Sequence, residues 1–262
     1  MIFSFVKYQG TGNDFVIVDN RDKHFPIEDH RLIAKLCHRN YGIGADGFIA
    51  IEADATSDFF MRYFNADGHE GSLCGNGSRC AVHYAHALGL TQKEVIFRAA
   101  DGLHQAAFLG EDVALSLHAV TDWNIYDEAL FIETGSPHHL VFVDDVASID
   151  VASLGAHIAH GPQYLADGTN VNFVEVTAAD ALYVRTFERG VEAETLSCGT
   201  GVTAAAIGAH ISKRVTAKNI SIQTKGGMLT VSFSDTSKGY EAVILQGPAT
   251  PVFKGQWETS TK

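Results

Sequence analysis

Two cysteines of this chain stand in the same local setting. Cys74 lies in "EGSLCGNGSRCAVHYA" and Cys198 in "ETLSCGTGVTAAAIGA". Both show Cys-Gly-x-Gly, a polar lead-in, and an alanine-rich follow-on that reads as the start of a buried helix. A free thiol titrates near ~8.5, and a helix N-terminus lowers that value because its unpaired N–H groups and dipole favour the thiolate. The glycines leave those N–H groups uncovered and let a ligand approach the backbone. Each copy therefore supplies a tunable acid/base and a nest for an anion. Together they suit inversion of a carbon next to a carboxylate. One cysteine removes the α-proton and the other delivers a proton to the opposite face. The negative charge that develops on the carboxylate oxygens falls where the N–H groups aim. One base cannot readily serve both faces, which explains the duplication. Cys37 and Cys80 lack this context and read as small apolar filler.

The elements that must position the cysteines are mostly strands. "FVIVDN", "GFIAIEA", "FFMRYFNA", "EVIFRAA" and "VALSLHAV" in the first half, and "LVFVDDV", "NVNFVEV", "ALYVRTFERG", "NISIQT", "MLTVSFS" and "EAVILQG" in the second, carry β-branched or aromatic residues and end in turn formers. Three helices are expected: one in "IEDHRLIAKLCHRN" and one after each of Cys74 and Cys198. The last two carry little charge on any face, as a buried helix should. "GTGNDF" contains Gly-x-Gly but completes no dinucleotide fingerprint, and reads as a turn between strands.

The plan is an α+β fold of two pseudo-symmetric domains. Each is expected to be a strongly curved, mostly antiparallel sheet wrapped around a central buried helix. Residues 1–118 would carry Cys74 and be joined by 249–262, and residues 119–248 would carry Cys198. The segment "HAVTDWNIYDEA" is the candidate crossing. Two domains of one design form a cleft, where small ligands bind.

Composition narrows the partners. The net charge is −12 and Lys and Arg do not cluster, which argues against nucleic acid. No apolar run is long enough to span a membrane, and the N-terminus has no secretory signal pattern. A cytoplasmic protein with reduced cysteines is expected. No Cys-x-x-Cys or His-Glu-x-x-His occurs, so no metal is expected.

The motifs resemble the diaminopimelate epimerase family over nearly the whole chain. The matching segments are "GTGNDFVIVD", "YGIGADG", "YFNADGHEGSLCGNGSRC", "GSPHH", "GTNVNFVEV" and "FERGVEAETLSCGTG". The resemblance implies a cofactor-independent isomerase that interconverts LL- and meso-2,6-diaminopimelate in lysine and peptidoglycan precursor synthesis, with a homodimer as a possible assembly. It makes Cys74 the proton acceptor in the LL-to-meso direction and Cys198 the donor. Gly75, Asn76, Gly199 and Thr200 would hold the carboxylate on the reacting carbon. Asn13, Asn65, Asn170, Glu188 and Arg189 would grip the distal end, and His138 and Glu188 would stand near the thiols. The chain departs from the family pattern in three places. Ser136 stands where Asn is common, Gly47 where some members have Gln, and "ERGVEAET" is one residue longer.

Two other readings compete. A proline or hydroxyproline racemase shares the paired cysteines but not "FNADG" or the Glu-Arg-Gly segment in these contexts. A cysteine hydrolase using Cys198 and His138 leaves the second motif without a purpose.

Overall fold

The computed structural model describes residues 2–71, 73–126, 129–164 and 168–259. The chain divides into two compact units, residues 1–115 with 247–262 and residues 116–246. Of the candidate crossing segment, residues 127 and 128 lie outside the described residues.

The first unit runs β1 (Ile2–Gly10), β2 (Asn13–Asp19), α1 (His30–Cys37), β3 (Gly47–Glu52), β4 (Phe59–Asn65), α2 (Gly75–Ala87), β5 (Glu94–Ala99), β6 (Gly102–Leu109) and β7 (Asp112–Ser116). The second runs β8 (Trp123–Tyr126), β9 (Ala129–Glu133), β10 (Pro137–Phe142), α3 (Val151–Ala159), β11 (Asn170–Ala178), β12 (Ala181–Glu188), β13 (Ala193–Thr195), α4 (Gly199–Ile211), β14 (Asn219–Thr224), β15 (Gly227–Thr236) and β16 (Gly239–Gly247). The chain then returns to the first unit as β17 (Thr250–Glu258), which pairs antiparallel with β1 along its length.

The two units share one pairing order. In the first, β17–β1 and β1–β2 are antiparallel, β2–β3 parallel, β3–β4 antiparallel, β4–β5 parallel, and β5–β6 and β6–β7 antiparallel. In the second, β8–β9 and β9–β10, β10–β11, β11–β12, β12–β14, then β14–β15 and β15–β16 repeat that series. A parallel pair needs a crossover, usually a helix. The crossovers fall at the same places, α1 matching α3 and α2 matching α4. The sequence reading foresees α1, α2 and α4 but not α3. That helix is short, and Asp150 caps it by accepting from the Ser153 N–H. Its fully buried positions are the small residues Val151, Gly155 and Ala159.

Central strands of each unit are covered on both faces, which gives the near-continuous apolar runs of such strands. Val16, Val18, Phe48 and Ala50 join Ile33, Leu36 and Cys37 of α1 in one core. Phe15 and Ile49, on the other face, lie against Gly77 of α2. In the second unit Val171 and Phe173 pack with Val151 and Ala159 of α3, whereas Val174 packs with the α4 core. Helix α4 is buried from Gly201 to Ala209, and its small residues let the strands close around it. The turn at Thr11–Gly12 has positive φ at both residues, the geometry that matches the twist of a tight hairpin.

Candidate active site

Each cysteine is the N-cap of its helix: Cys74 for α2 and Cys198 for α4, both with extended backbone. The N–H groups of the first helical turn therefore open beside each sulfur. The surroundings of the two sulfurs differ.

In the first unit the Gly77 N–H donates to Cys74 Sγ at 3.4 Å, and Cys74 Sγ donates to Asn13 Oδ1 at 3.5 Å. Asn13 Nδ2 donates to Asp46 Oδ2 at 2.8 Å, which fixes its amide with the oxygen toward the thiol. Arg39 holds Asp46 and Asp14 together, and Lys7 pairs with Asp14 at 2.7 Å. Burial alone would raise the Asp14 pKa, but hydrogen bonds from Arg39 and Lys7 outweigh it and hold the carboxyl at about 2. Asn76 Nδ2 also donates to Asn13 Oδ1, at 3.3 Å. Asn76 Oδ1 in turn accepts from Arg79 Nη2 at 3.0 Å. Arg79 is fully buried and also donates to Thr11 Oγ1 and the Pro248 carbonyl. Asn65 lies at the exposed end of β4 and accepts from Tyr63 OH at 2.9 Å. Gly75 opens α2. The unit thus brings Asn13, Cys74, Gly75 and Asn76 together, while Asn65 stands beside Tyr63.

In the second unit Cys198 is 8% exposed, and its Sγ lies 3.5 Å from Thr200 Oγ1. Thr200 Oγ1 lies 2.9 Å from His138 Nε2 and 3.1 Å from Ser136 Oγ. His138 is completely buried; burial first, then the Arg189 cation, depress its pKa to about 3, so the ring is neutral. Asn170 donates to the Pro137 carbonyl and to Ser136 Oγ, and accepts from the Arg189 N–H at 3.1 Å. Arg189 Nη1 donates to the Gly168 carbonyl. Glu188 ends β12 and accepts from Thr195 Oγ1 at 2.5 Å. Gly199 opens α4. His138, Asn170, Cys198 and Thr200 are therefore linked, with Arg189 tied to Asn170 and Glu188 to Thr195.

The remaining cysteines behave as filler. Cys37 and Cys80 are buried, and desolvation pushes Cys37 up to about 12 and Cys80 higher still. Among the described residues no cluster of three or more His, Cys, Asp or Glu is arranged for a metal.

Sequence reasoning passed over three residues here: Tyr63, Arg79 and Asn172. Tyr63 fills the space above Gly47, where a Cβ would lie 2.7 Å from its Cε2. A side chain at position 47 would meet that ring and the Phe64 carbonyl oxygen, 2.9 Å away. Arg79 sits inside the quoted cysteine motif, and its charge in a helix with no other Lys, Arg, Asp or Glu was the available signal. Asn172 looked like one polar residue of a strand.

A match to the diaminopimelate epimerase family model covers residues 5–119 and 130–252. The chain belongs to the diaminopimelate epimerase family. It is 45% identical over 249 residues to the diaminopimelate epimerase of Flavobacterium psychrophilum, covering 95% of this chain and 97% of that protein. It is 37% identical over 272 residues to that of Aquifex aeolicus, with 96% of each covered. Among solved structures, a phenazine biosynthesis protein of the PhzF family from Bacillus anthracis superposes with a TM-score of 0.78 at 15% identity, covering 99% of this chain and 100% of that one. A hydroxyproline epimerase from Agrobacterium vitis gives 0.67 at 14%, covering 97% and 92%. At such identities these two likenesses speak to the fold, which is the two-part, strand-rich α+β architecture foreseen from the sequence.

Proposed function

We propose that this chain interconverts LL- and meso-2,6-diaminopimelate, the activity of its family and a step of lysine biosynthesis, by a two-base reaction of Cys74 and Cys198. The observation that carries the mechanism is the duplicated cap: one cysteine at the N-terminus of the buried helix in each repeat. In the LL-to-meso direction Cys74 takes the α-proton and Cys198 returns one to the opposite face. The N–H groups of Gly75, Asn76, Gly199 and Thr200 receive the carboxylate of the reacting carbon and the charge that builds on it. Asn13, Asn65, Asn170, Glu188 and Arg189 read the distal amino-acid end, where a guanidinium matches a carboxylate as a fork. Proline lacks that distal end. The buried polar groups built for it would stay unpaired, so proline is expected to be a poor substrate.

Purified protein is incubated with LL-substrate in heavy water without added cofactor. Each thiol carries one proton, so the meso product should carry solvent deuterium at the inverted carbon. Recovered LL-substrate should gain little deuterium at early times. Cys74→Ser and Cys198→Ser should each nearly abolish epimerisation, since a hydroxyl is a far weaker acid. Retention of the original hydrogen in the product would sink the two-base reading.

A further inference from the structure

We propose that Asn172 is a positioning residue for Cys198: it fixes the proton of His138 on Nε2, so that the Thr200 hydroxyl hydrogen points at Cys198 Sγ. The inference deepens the epimerase reading above and rests on it for its catalytic meaning.

The proton placement follows from acceptors and donors alone. Asn172 is fully buried. Its Oδ1 accepts from Thr186 Oγ1 at 2.9 Å, and its Nδ2 faces the His139 carbonyl at 3.4 Å. An amide turned the other way would set oxygen against that carbonyl oxygen, so Nδ2 is the donor on this side. The same Nδ2 lies 3.0 Å from His138 Nδ1. Nδ1 must therefore accept, and the single proton of the neutral ring sits on Nε2.

His138 Nε2 then donates to Thr200 Oγ1 at 2.9 Å, with Ser136 Oγ as a second neighbour at 3.0 Å. Asn170 Nδ2 donates to Ser136 Oγ, and in the proposed relay the Ser136 hydroxyl donates in turn to Thr200 Oγ1, 3.1 Å away. Both inputs to Thr200 are donors, so its own hydrogen turns outward to Cys198 Sγ, 3.5 Å away. The charged neighbour of His138 is Arg189, which also disfavours a cationic ring. The relay thus ends in a hydroxyl donor on the sulfur, which favours the thiolate over the thiol.

The first unit shows that the backbone alone does not demand this arrangement. Under the first turn of α2, a Cβ on Gly77 would meet Ile49 Cδ1 at 3.2 Å and Phe15 Cε1 at 3.3 Å. Under α4, a Cβ on Gly201 would meet Asn172 Oδ1 at 2.4 Å. The strand register makes Phe15 and Ile49 the counterparts of His138 and Asn172: β2 meets β3 at Phe15–Gly47, and β10 meets β11 at His138–Asn170. An apolar pair in one repeat is a polar pair in the other, and the polar pair leads to a thiol.

The test reads protons and sulfur separately from turnover. In full-length protein with isotope-labelled histidine, nitrogen NMR at neutral pH should show His138 neutral with its proton on Nε2. In Asn172→Asp the carboxylate accepts from Nδ1–H, which makes Nε2 an acceptor and draws the Thr200 hydrogen away from sulfur. Alkylation of Cys198 by iodoacetamide, followed by peptide mass analysis, should slow roughly tenfold, the effect of one pKa unit on the thiolate population. Cys74 alkylation in the same sample should hold steady. In a Thr200→Val background, which removes the last link, Asn172→Asp should change Cys198 alkylation no further. Asn172→Leu, apolar like Ile49, should slow it less than Asp and serves if the aspartate variant does not fold. A wild-type ring with its proton on Nδ1 overturns the proposal, as does a slowing by Asn172→Asp that persists undiminished without the Thr200 hydroxyl. Normal NMR and alkylation results in a protein inert toward diaminopimelate would instead defeat the epimerase reading and leave the relay standing.

Discussion

Gly47 and Tyr63 share one volume on neighbouring strands: a Cβ on Gly47 would lie 2.7 Å from Tyr63 Cε2 and 2.9 Å from the Phe64 carbonyl. The ring that takes this space also donates its hydroxyl to Asn65 Oδ1 at 2.9 Å. A polar group thus enters this corner from β4 rather than from position 47. If Asn65 reads the substrate's distal end, Tyr63 orients it. Tyr63→Phe keeps the ring and removes only the hydroxyl. A hydrogen bond of this kind is worth about 1 kcal/mol, so KM for diaminopimelate should rise several-fold while kcat and the unfolding midpoint stay near the parent's. Steady-state kinetics beside a urea melt would separate the two. An unchanged KM would remove Asn65 or Tyr63 from substrate recognition.

Much of this was legible in the sequence because it rests on local chemistry. Cysteine before Gly-x-Gly and an alanine run announces a capped buried helix, and both copies fold so. The family motifs supplied the candidate site residues by position. Two things stayed hidden. Helix α3 is short and buries only the small residues Val151, Gly155 and Ala159: Gly155 lets it approach Phe187, which is visible only once β12 is in place. The relay under Cys198 joins residues from β10, β11, β12 and α4, so the value of Asn172 depends on strand register. Alternating polarity in a strand shows which residues face one way, not which side chain on the next strand they meet.

Gly155 yields a stability prediction. An added Cβ there would lie 2.4 Å from Phe187 Cβ and 2.7 Å from its Cγ, closer than atoms can sit. Phe187 is itself fully buried and cannot swing aside. Gly155→Ala should therefore destabilise the protein by about 1–3 kcal/mol, the usual range for overpacking, although alanine is the better helix former. Chemical unfolding measures it. A gain in stability would mean that α3 is free to shift on its strands.

Arg79 sets two effects against each other. Its guanidinium is fully buried, and Nη1 has no hydrogen-bond partner among the described residues. Replacing a buried charge by an apolar group can be neutral or even stabilising. Yet Arg79 also donates to the Pro248 carbonyl, Thr11 Oγ1 and Asn76 Oδ1, and a hydrogen bond from a charged donor is worth about 1.5–3 kcal/mol. With three charged hydrogen bonds to lose against one unmet donor, the loss should win. Arg79→Met is expected to lower unfolding free energy by about 2–4 kcal/mol. Through Asn76 it should also lower turnover, and Asn76→Ala should add little to that loss in the Arg79→Met background. A methionine variant as stable as the parent would show that desolvation of the charge dominates.

His138 should make the protein acid-sensitive in a defined window. Its pKa is near 6.5 in an unfolded chain and about 3 in the folded one, where burial and then Arg189 oppose the proton. A folded pKa below the unfolded one means that only the unfolded chain takes up a proton between those values. The stability contributed is complete above about pH 6.5. It falls as pH drops, by about 1.4 kcal/mol per unit, until the folded ring also titrates. From pH 7 to pH 4 the loss from this one residue is about 3 kcal/mol. His83 and His139 are also depressed by burial and add to the acid slope, so the parent curve alone does not isolate His138. Subtraction of a His138→Gln variant does, since the other histidines are common to both proteins. Urea unfolding at pH 7, 5 and 4 should show the variant less stable than the parent at pH 7, where it loses the His138 hydrogen bonds, but losing less on acidification. Parallel curves for the two proteins would mean that His138 takes up its proton in the folded state, and Nδ1 could then no longer accept from Asn172 Nδ2 at acidic pH.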